Sequence, residues 1–359
     1  MKEKPILLLG LFLRRGDEKS NIRTVEDRLA EMFAKEDINT ILSSNLHGRI
    51  SRLADTVYTV VFKRKEYHIA IVPLFGTWPS FLWQEAMTRL LKIFRKKIVL
   101  CIHGGSIPGR VDNGAKRFDK ALQRADVLVA PSGYLLEYFS KKNLKIHLIE
   151  NPLDLSDYKF HKKAFIRPRI IWMRAFTETY NPAMAVRVAK RLANTFEEFQ
   201  MVMAGKDGVL TSPVKKMVQE EGLADKIIFP GYINSQEKIA FADQYDIYIN
   251  TNKIDNAPVS VIEYMALGLP VVSVNVGGMP YLIKHEQNGL LVNDDDDEAM
   301  FVQICRLIEN ASFAKSICCN AFNQAQQYGE QNICTKWQST FKELMNDDKT
   351  KSQIASNFI

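Results

Sequence analysis

The sequence lacks long apolar runs, a leader segment and an ordered pattern of cysteines. Its longest apolar runs, such as Ile6–Phe12 and Ile98–Ile102, have the length of a strand and fall well short of a membrane span. No basic and then apolar stretch with a small-residue cleavage site opens it. The five cysteines are an odd number without the spacing of metal ligands. We therefore expect a cytoplasmic protein with reduced thiols.

Positive charge is concentrated in the first part of the chain. Residues 1–150 carry 26 Lys and Arg against 16 Asp and Glu, whereas the remaining residues carry 22 against 25. The basic clusters Lys63–Lys65 and Arg95–Lys97 could lie on a bilayer rich in acidic lipids, which would make the protein peripheral on the membrane. Scattered solvated lysines at helix ends are an equal alternative. No zinc-finger, helix-turn-helix or RNA-recognition signature accompanies the charge, so we expect no nucleic-acid partner.

Apolar strand-like segments alternate with helical ones throughout the 359 residues, a pattern typical of parallel sheets. The pattern breaks at His161–Arg169, a polar and basic stretch that we interpret as a linker. We predict an α/β fold of two Rossmann-like doubly wound domains facing a cleft at the carboxyl ends of their strands. The predicted domains are residues 1–160 and 161–330, and residues 331–359 form a C-terminal helix, which could return to the first domain, and a frayed tail.

The segment from Asp255 to Gly278 combines a polar loop, a helix start and a glycine pair. Pro258 fits the first helical turn, where backbone N–H groups and the helix dipole can seat a diphosphate. Asp255 and Glu263 are eight residues apart, so both carboxylates can face one cleft, and a carboxylate can accept two hydrogen bonds from ribose hydroxyls. Taken singly, each feature is more often a cap or a turn, but the joint spacing favours a site.

This segment resembles the donor-site signature of the retaining family 4 glycosyltransferases, which have the two-domain GT-B fold. The family pattern is Glu, seven residues, Glu, then Ala-x-Gly-x-Pro-Val-Val and a later Gly-Gly. Asp255 stands at the first acidic position, where the shorter side chain has less reach. The later positions match through Glu263, Ala266, Gly268, Pro270, Val271, Val272, Gly277 and Gly278.

The resemblance implies roles for these residues. Glu263 would hold the ribose, Asp255 would bind hydroxyls of the donor sugar, and the backbone of the next turn would lie by the diphosphate. Glu150–Asp154, Met201–Gly208 and Phe229–Tyr232 resemble further family segments. The residues that we expect at the nucleotide-sugar site are therefore Glu263, Asn256, Ala257, Pro258, Val259, Ser260, Gly205 and Tyr232.

The sequence contains only part of the family's set of cationic residues for the leaving diphosphate. Arg174 follows the strand Ile170–Met173 and can bind two phosphate oxygens with its planar fork. Family members carry a lysine about five residues later, but the region of Thr179 lacks one. Lys206 is our substitute candidate, with a solvated loop lysine as the alternative. We expect catalysis to rest on Arg174, Lys206, Asp255 and His103.

His103 follows the strand Ile98–Ile102 and could face the donor sugar or the acceptor, although a lone histidine is often only a packed one. Arg14–Gly16 stands where the family often has an acceptor loop. The aromatic segment Phe75–Trp83 could form an acceptor or membrane surface, or core packing. Asp294–Asp297 looks like a helix-opening loop, so we predict no metal and no other cofactor.

These observations predict a retaining, metal-independent transfer of a hexose-type unit from a nucleotide diphosphate sugar to a hydroxyl of a glycan or lipid-linked acceptor. Polysaccharide or lipopolysaccharide biosynthesis on the cytosolic face of a membrane is the expected setting. A non-hydrolysing nucleotide-sugar epimerase and a catalytically inactive glycan- or partner-binding homologue are the alternatives. An NAD-dependent dehydrogenase is disfavoured because Gly10–Gly16 lacks the Gly-x-Gly-x-x-Gly fingerprint.

Overall fold

The structure of the protein is a computed structural model that describes residues 4–10, 12, 24–46, 48–103, 107–113, 116–161 and 163–356. The chain divides into two compact units, residues 1–152 with 330–359 and residues 153–329. In the described part of the chain, each unit is built on a six-stranded parallel sheet. The predicted fold class, α/β with two Rossmann-like doubly wound domains, is confirmed. The chain leaves the first unit after Pro152, so the predicted linker His161–Arg169 lies inside the second unit.

The first unit alternates short strands with helices. Its sheet contains β1 (Ile6–Leu8), β2 (Thr40–Leu42), β3 (Ile69–Leu74), β4 (Lys97–Ile102), β5 (Val127–Ala130) and β6 (Ile146–Leu148). Its strand order is β2-β1-β3-β4-β5-β6. Every residue of β3 is buried, as expected of a parallel strand covered on both faces. The helices that follow these strands are α1 (Val25–Lys35), α2 (Arg49–Phe62), α3 (Trp78–Ile93), α4 (Ile107–Asp112), α5 (Lys116–Leu122) and α6 (Gly133–Ser140).

Local sequence accounts for the clearest helix start of this unit. Thr24 caps α1 in a capping box: its side chain accepts from Asp27 N at 3.1 Å, and the Asp27 carboxylate accepts from Thr24 N at 3.0 Å. The aromatic segment Phe75–Trp83 lies across the start of α3. Phe81 there is buried and stacks on Phe118 with ring centroids 3.7 Å apart, whereas Trp78 is exposed. The segment is thus core on one side and surface on the other.

The second unit repeats the plan with a different strand order. Its strands are β7 (Arg169–Met173), β8 (Gln200–Ala204), β9 (Ile227–Gly231), β10 (Ile247–Asn250), β11 (Val271–Val274) and β12 (Leu290–Val292). The order is β12-β11-β10-β7-β8-β9, so β7 and β10 are neighbours. From β7 the chain continues toward one edge of the sheet through β8 and β9, and from β10 it continues toward the other edge through β11 and β12. The carboxyl ends of such a pair are the topological switch point, the usual place for a ligand in open α/β sheets. The helices are α7 (Pro182–Thr195), α8 (Thr211–Glu220), α9 (Ser235–Gln244), α10 (Val259–Ala266), α11 (Met279–Leu282), α12 (Asp297–Glu309) and α13 (Ala311–Ala325).

The last helix, α14 (Glu330–Ser356), belongs to the first unit. Trp337 and Phe341 of α14 pack on Phe33 of α1, with ring centroids 5.8 and 5.7 Å from that ring. Burial of these rings stabilises the return of the chain to the first unit. Among the described residues, none of the helices has the combination of length and apolar composition that crossing a bilayer requires.

Candidate active site

Arg174 lies at the switch point of the second unit, directly after β7. Its Nη2 donates to Asp255 Oδ2 at 3.2 Å, its Nε donates to Asn252 Oδ1 at 3.3 Å, and its Nη1 donates to Ser260 Oγ. The partners follow β10 and open α10, so adjacent strand ends bring them together. The structure thus joins three of the residues that the sequence predicted, Arg174, Asp255 and Ser260.

The surroundings of Arg174 keep its charge in place. Burial is the largest influence and by itself lowers the pKa of Arg174, but electrostatic interactions with Tyr248, Asp255, Tyr180 and Glu263 outweigh it and raise the pKa above its usual value. The guanidinium also lies 5.7 Å from the centre of the Tyr180 ring. A permanently charged, largely enclosed arginine at a switch point is suited to an anionic ligand.

The glycine pair after β11 fixes the loop that carries Asp255. A Cβ on Gly277 would lie 2.1 Å from Asp255 O, and a Cβ on Gly278 would lie 1.7 Å from Asn256 O. Gly277 also has a φ of +53°, and Gly278 N donates to Asp255 O at 2.8 Å. Only glycine allows this approach of the two backbones. The signature glycines therefore act by seating Asp255 and Asn256.

The segment Ala257–Ser260 leads into the first turn of α10. Pro258 stands at the N-cap, and Val261 N donates to Pro258 O at 3.1 Å. Ser260 is buried, with its hydroxyl 3.0 Å from the Tyr248 hydroxyl as well as next to Arg174. Val259 begins the helix and is half-buried. Ser260 thus belongs to the first turn of α10 and also accepts a hydrogen bond from Arg174.

Glu263 lies one turn after Ser260 on the same face of α10. Its side chain is 2% exposed, and the carboxylate accepts from Lys238 Nζ at 3.0 and 2.8 Å and from the Tyr158 hydroxyl at 3.1 Å. Neither Lys238 nor Tyr158 was predicted from the sequence. Lys238 is an isolated lysine on α9, which in sequence looks like a solvated surface residue, and Tyr158 is distant in the chain, so no local pattern marks either.

Three further predicted residues surround the ends of β8 and β9. Gly205 has a φ of +148°, its N–H donates to Gly231 O at 2.8 Å, and a Cβ there would lie 1.8 Å from Arg174 O. Gly205 therefore packs directly against the arginine. Lys206 is exposed, and within the described ranges its ammonium forms no hydrogen bond or ion pair. Tyr232 is half-exposed just after β9.

His103 belongs to the first unit, at the carboxyl end of β4. The side chain is buried, its Nε2 lies 3.4 Å from Glu26 Oε1, and its ring stacks on Phe75 at a centroid distance of 5.4 Å. Burial lowers the pKa of His103, and the neighbouring Glu26 partly opposes this. The lowered pKa favours the neutral form of the imidazole. The adjoining Gly104 and Gly105, and the predicted acceptor loop Arg14–Gly16, lie outside the described residues.

The carboxylates of the acidic run at the start of α12 are engaged in a helix cap and in ion pairs. Asp296 accepts from Ala299 N at 2.8 Å, and Asp295 and Asp297 both pair with Arg187. Among the residues that the structure describes, no group of three or more His, Cys, Asp or Glu side chains is placed to hold a metal ion. The run Asp294–Asp297 thus serves the helix start.

Residues 158–324 match the family model described as glycosyl transferases group 1. All the residues around Arg174 and Glu263 that are described above lie within this match. The putative colanic acid biosynthesis glycosyltransferase WcaL of Escherichia coli K12 is 25% identical over 228 residues, which are 60% of this chain and 56% of that protein. An undecaprenol-linked-glycan α-1,4-N-acetyl-D-galactosaminyltransferase of Campylobacter jejuni is 23% identical over 212 residues, 58% of each chain. The matches therefore span little more than half the length of these relatives.

Solved structures resemble the whole fold. Sucrose-phosphate synthase from Thermosynechococcus elongatus superposes with a TM-score of 0.77 at 15% identity, over 96% of this chain and all of that one. HepE of Anabaena, solved in complex with UDP and glucose, gives a TM-score of 0.69 at 17% identity with the same coverage. At such identities the likeness concerns the fold, a two-domain α/β architecture of the GT-B type.

Proposed function

Because residues 158–324 form a domain of the glycosyl transferases group 1 family, we propose that the protein transfers a hexose-type unit from a nucleotide diphosphate sugar to a hydroxyl group. The observation that carries this proposal is the enclosed guanidinium of Arg174 beside Asp255 and the first turn of α10. A cation, a carboxylate and a helix N-terminus at one switch point are the groups that a diphosphate sugar requires.

Arg174 would stabilise the departing diphosphate. As the bond between the sugar and the diphosphate breaks, negative charge grows on the leaving phosphate, and a fixed cation at that point lowers the barrier. Arg174 is held by Asn252, Asp255 and Ser260, so its fork needs little reorganisation. The backbone of Ala257–Ser260 would add N–H donors. Lys206 is exposed in a loop beside Arg174 and would assist only if it turned toward the ligand.

The two carboxylates would bind hydroxyl groups. Asp255 would face the donor sugar, where its link to Arg174 couples the sugar and phosphate subsites. Glu263 would accept from the ribose. A carboxylate offers roughly four acceptor sites, and Lys238 and Tyr158 occupy three of those on Glu263. The ribose contact would thus use the remaining site or displace the tyrosine, and Lys238 would hold the carboxylate in place.

We propose a glycan or lipid-linked acceptor, reached from the cytosolic side, and transfer with retention and without a metal. The names of the relatives, in colanic acid biosynthesis and in extension of an undecaprenol-linked glycan, support this acceptor class. Retention rests on the resemblance to family 4. His103 would contact the donor sugar or the acceptor through a neutral imidazole, which can donate or accept a hydrogen bond.

A nucleotide screen followed by a product assay tests the proposal. Melting temperatures are measured with UDP, GDP, ADP and their sugar conjugates, because a ligand that binds the folded state raises the midpoint. We expect one nucleotide to stand out, and the shift to disappear in Glu263→Ala. Incubation with the donor alone then separates the alternatives: an epimerase converts it without an acceptor. If a nucleotide binds but the donor is not converted, with or without acceptors, the result would support the catalytically inactive homologue.

A further inference from the structure

Helix α2 of the first unit presents an apolar stripe to solvent. Ile50, Ala54, Tyr58 and Phe62 follow one another at intervals of four residues and are all exposed, Ile50 at 85% and Phe62 at 67%. Residues four apart lie on one face of a helix. The rings of Tyr58 and Phe62 touch, with centroids 4.8 Å apart. The stripe runs along the 14 residues of the helix, about 20 Å at a rise of 1.5 Å per residue.

The opposite face of α2 is more polar than the exposed one. Thr56, Thr59 and Val60 are buried on this face, and Thr59 Oγ1 donates to Ser43 O at 3.3 Å. A surface helix normally buries its apolar stripe and exposes its polar one. The inverted arrangement leaves several large apolar side chains in water, which is typical of a surface that meets a partner.

Basic residues surround the C-terminal end of this stripe. Lys63–Lys65 continue directly from α2, and Arg95–Lys97 follow α3. One contact joins these segments: the Arg64 guanidinium lies 5.5 Å from the centre of the Phe94 ring. Lys4 Nζ, which donates to Lys65 O at 2.8 Å, adds a further cation next to Lys65. Ile93, 73% exposed, adds an apolar side chain beside them.

The charge of this region is strongly biased. Residues 49–66 contain five Lys and Arg against two acidic residues, Asp55 and Glu66, and residues 92–97 contain four Lys and Arg and no acidic residue. One of the lysines, Lys96, is turned inward and donates to Tyr67 O at 2.8 Å, and burial lowers its pKa. Arg64, Lys65 and Arg95 are exposed at the surface of this region.

We propose that the apolar stripe of α2 and the adjoining basic segments dock on an anionic membrane surface. The helix would lie in the plane of the interface, with Ile50, Tyr58 and Phe62 below the headgroups and the basic segments on acidic lipid phosphates. This inference deepens the proposed function, since it gives a lipid-linked acceptor a defined side of the molecule from which to be reached.

The combination of groups favours a bilayer over other occupants. A second copy of this chain would pair the stripe with itself and would also bring the same cations together, because a two-fold interface uses one surface twice. A nucleic acid would engage the cations but leave the aliphatic and aromatic side chains in water. A bilayer containing acidic lipids would bury the apolar side chains and pair the basic ones with lipid phosphates at the same time.

Flotation of the protein with lipid vesicles tests the inference. Vesicles of phosphatidylcholine alone are compared with vesicles that contain phosphatidylglycerol in addition, at low and high salt. We expect binding to the anionic vesicles only, weakened by salt. The double variant Ile50→Ser with Phe62→Ser, and the double variant Lys63→Ser with Lys65→Ser, should each bind at least about tenfold more weakly. The matched control is Val302→Ser, a comparably exposed apolar residue (52%) on α12 of the second unit, which should bind as the wild type does.

The outcomes separate this inference from the proposed function. Each variant is also tested for a melting shift with the nucleotide that binds the wild type, and the shift should be unchanged. Equal binding to neutral vesicles, no binding to any vesicle, or dimers that dissociate in the Ile50→Ser, Phe62→Ser variant would each overturn the docking inference. Vesicle binding by a wild type that shows no response to any nucleotide would support the docking surface while contradicting the proposed donor site.

Discussion

Lys238 holds both carboxylate oxygens of Glu263, at 3.0 and 2.8 Å, across the interval between α9 and α10. Both side chains are largely enclosed, at 14% and 2% exposure. A buried carboxylate without a partner is costly, so the lysine stabilises the residue that we propose for the ribose. The Lys238–Glu263 pair therefore contributes to the stability of the second unit and also positions the carboxylate that we propose for the ribose.

Removal of Lys238 should affect both stability and binding. Lys238→Met leaves Glu263 with Tyr158 alone, and loss of one partner of a buried pair costs roughly 3 kcal/mol of unfolding free energy. The measurement is a urea unfolding curve, with Lys216→Met as the control, because the Lys216–Glu220 pair is exposed. The double variant Lys238→Met with Glu263→Gln should recover much of the stability without recovering nucleotide binding. A Lys238→Met variant as stable as the control would contradict this account.

The Asp255 loop should not tolerate a side chain on the glycine pair. Gly278→Ala places a methyl group where Asn256 O now lies, so the loop must move away. We expect the variant to remain folded, to melt several degrees lower and to lose most of its nucleotide-induced melting shift. Gly109→Ala is the control, since a Cβ at Gly109 meets no atom within 4 Å. An unchanged nucleotide shift in Gly278→Ala would show that the loop position does not matter for binding.

Asp246 should make the stability of the second unit sensitive to acid. It is fully buried and accepts from Lys163 Nζ at 2.5 Å and from Arg167 Nε at 2.8 Å. Burial alone raises its pKa, but the hydrogen bonds from Arg167 and Lys163 prevail, and its pKa lies below the usual value. The group thus stabilises the fold above its unfolded pKa of about 4, and this contribution is lost as the pH falls through the lower, folded value.

Asp246→Asn measures that contribution. At pH 7 we expect a loss of roughly 3 kcal/mol, because two cations lose their buried partner. The difference from the wild type should shrink in unfolding experiments carried progressively below pH 4. Asp225→Asn, at an exposed position, is the control. A difference that stays constant down to the acid transition would mean that the Asp246 charge does not contribute.

His103 should titrate below its usual range. Burial lowers its pKa, and the Glu26 carboxylate at 3.4 Å partly counteracts the effect. NMR titration of the imidazole should give a pKa below about 6.5, and Glu26→Gln should lower it further because a negative neighbour is removed. In the proposed reaction, His103→Ala should slow transfer by roughly tenfold or more with an unchanged nucleotide shift. A transfer rate equal to the wild type would reduce His103 to a packing residue.

The sequence was sufficient for the sheets, because buried parallel strands are continuous apolar runs. The strands expected at Ile98–Ile102 and Ile170–Met173 are β4 and β7, which each begin one residue earlier and end where the sequence predicted. Helix α2 was not predicted, since its apolar residues lie on the exposed face and the buried face carries threonines. An inverted pattern of this kind cannot be recognised until the position of the helix is known.

The site was predictable in part. Arg174 and Asp255 could be placed together because strand ends of one parallel sheet meet at one edge. The partners of Glu263 could not, because Lys238 and Tyr158 come from separate elements without a motif. Lys206 was chosen as a substitute for the family's absent lysine because it follows the next strand, and its side chain is exposed.

The measurement that tests the central claim most directly is donor binding and transfer by Arg174→Ala beside Arg174→Lys. Removal of a charge-stabilising donor typically costs about 10²-fold or more in rate, so we predict that loss for Arg174→Ala. Arg174→Lys should recover only a small part, because a lysine lacks the planar fork that holds Asn252, Asp255 and Ser260 together. Since Arg174→Ala removes the cation paired with Asp255, it should also lower the melting temperature, and both variants are assayed at a temperature where each remains folded. A variant with alanine at position 174 that binds the nucleotide and transfers the sugar at the wild-type rate would contradict the account.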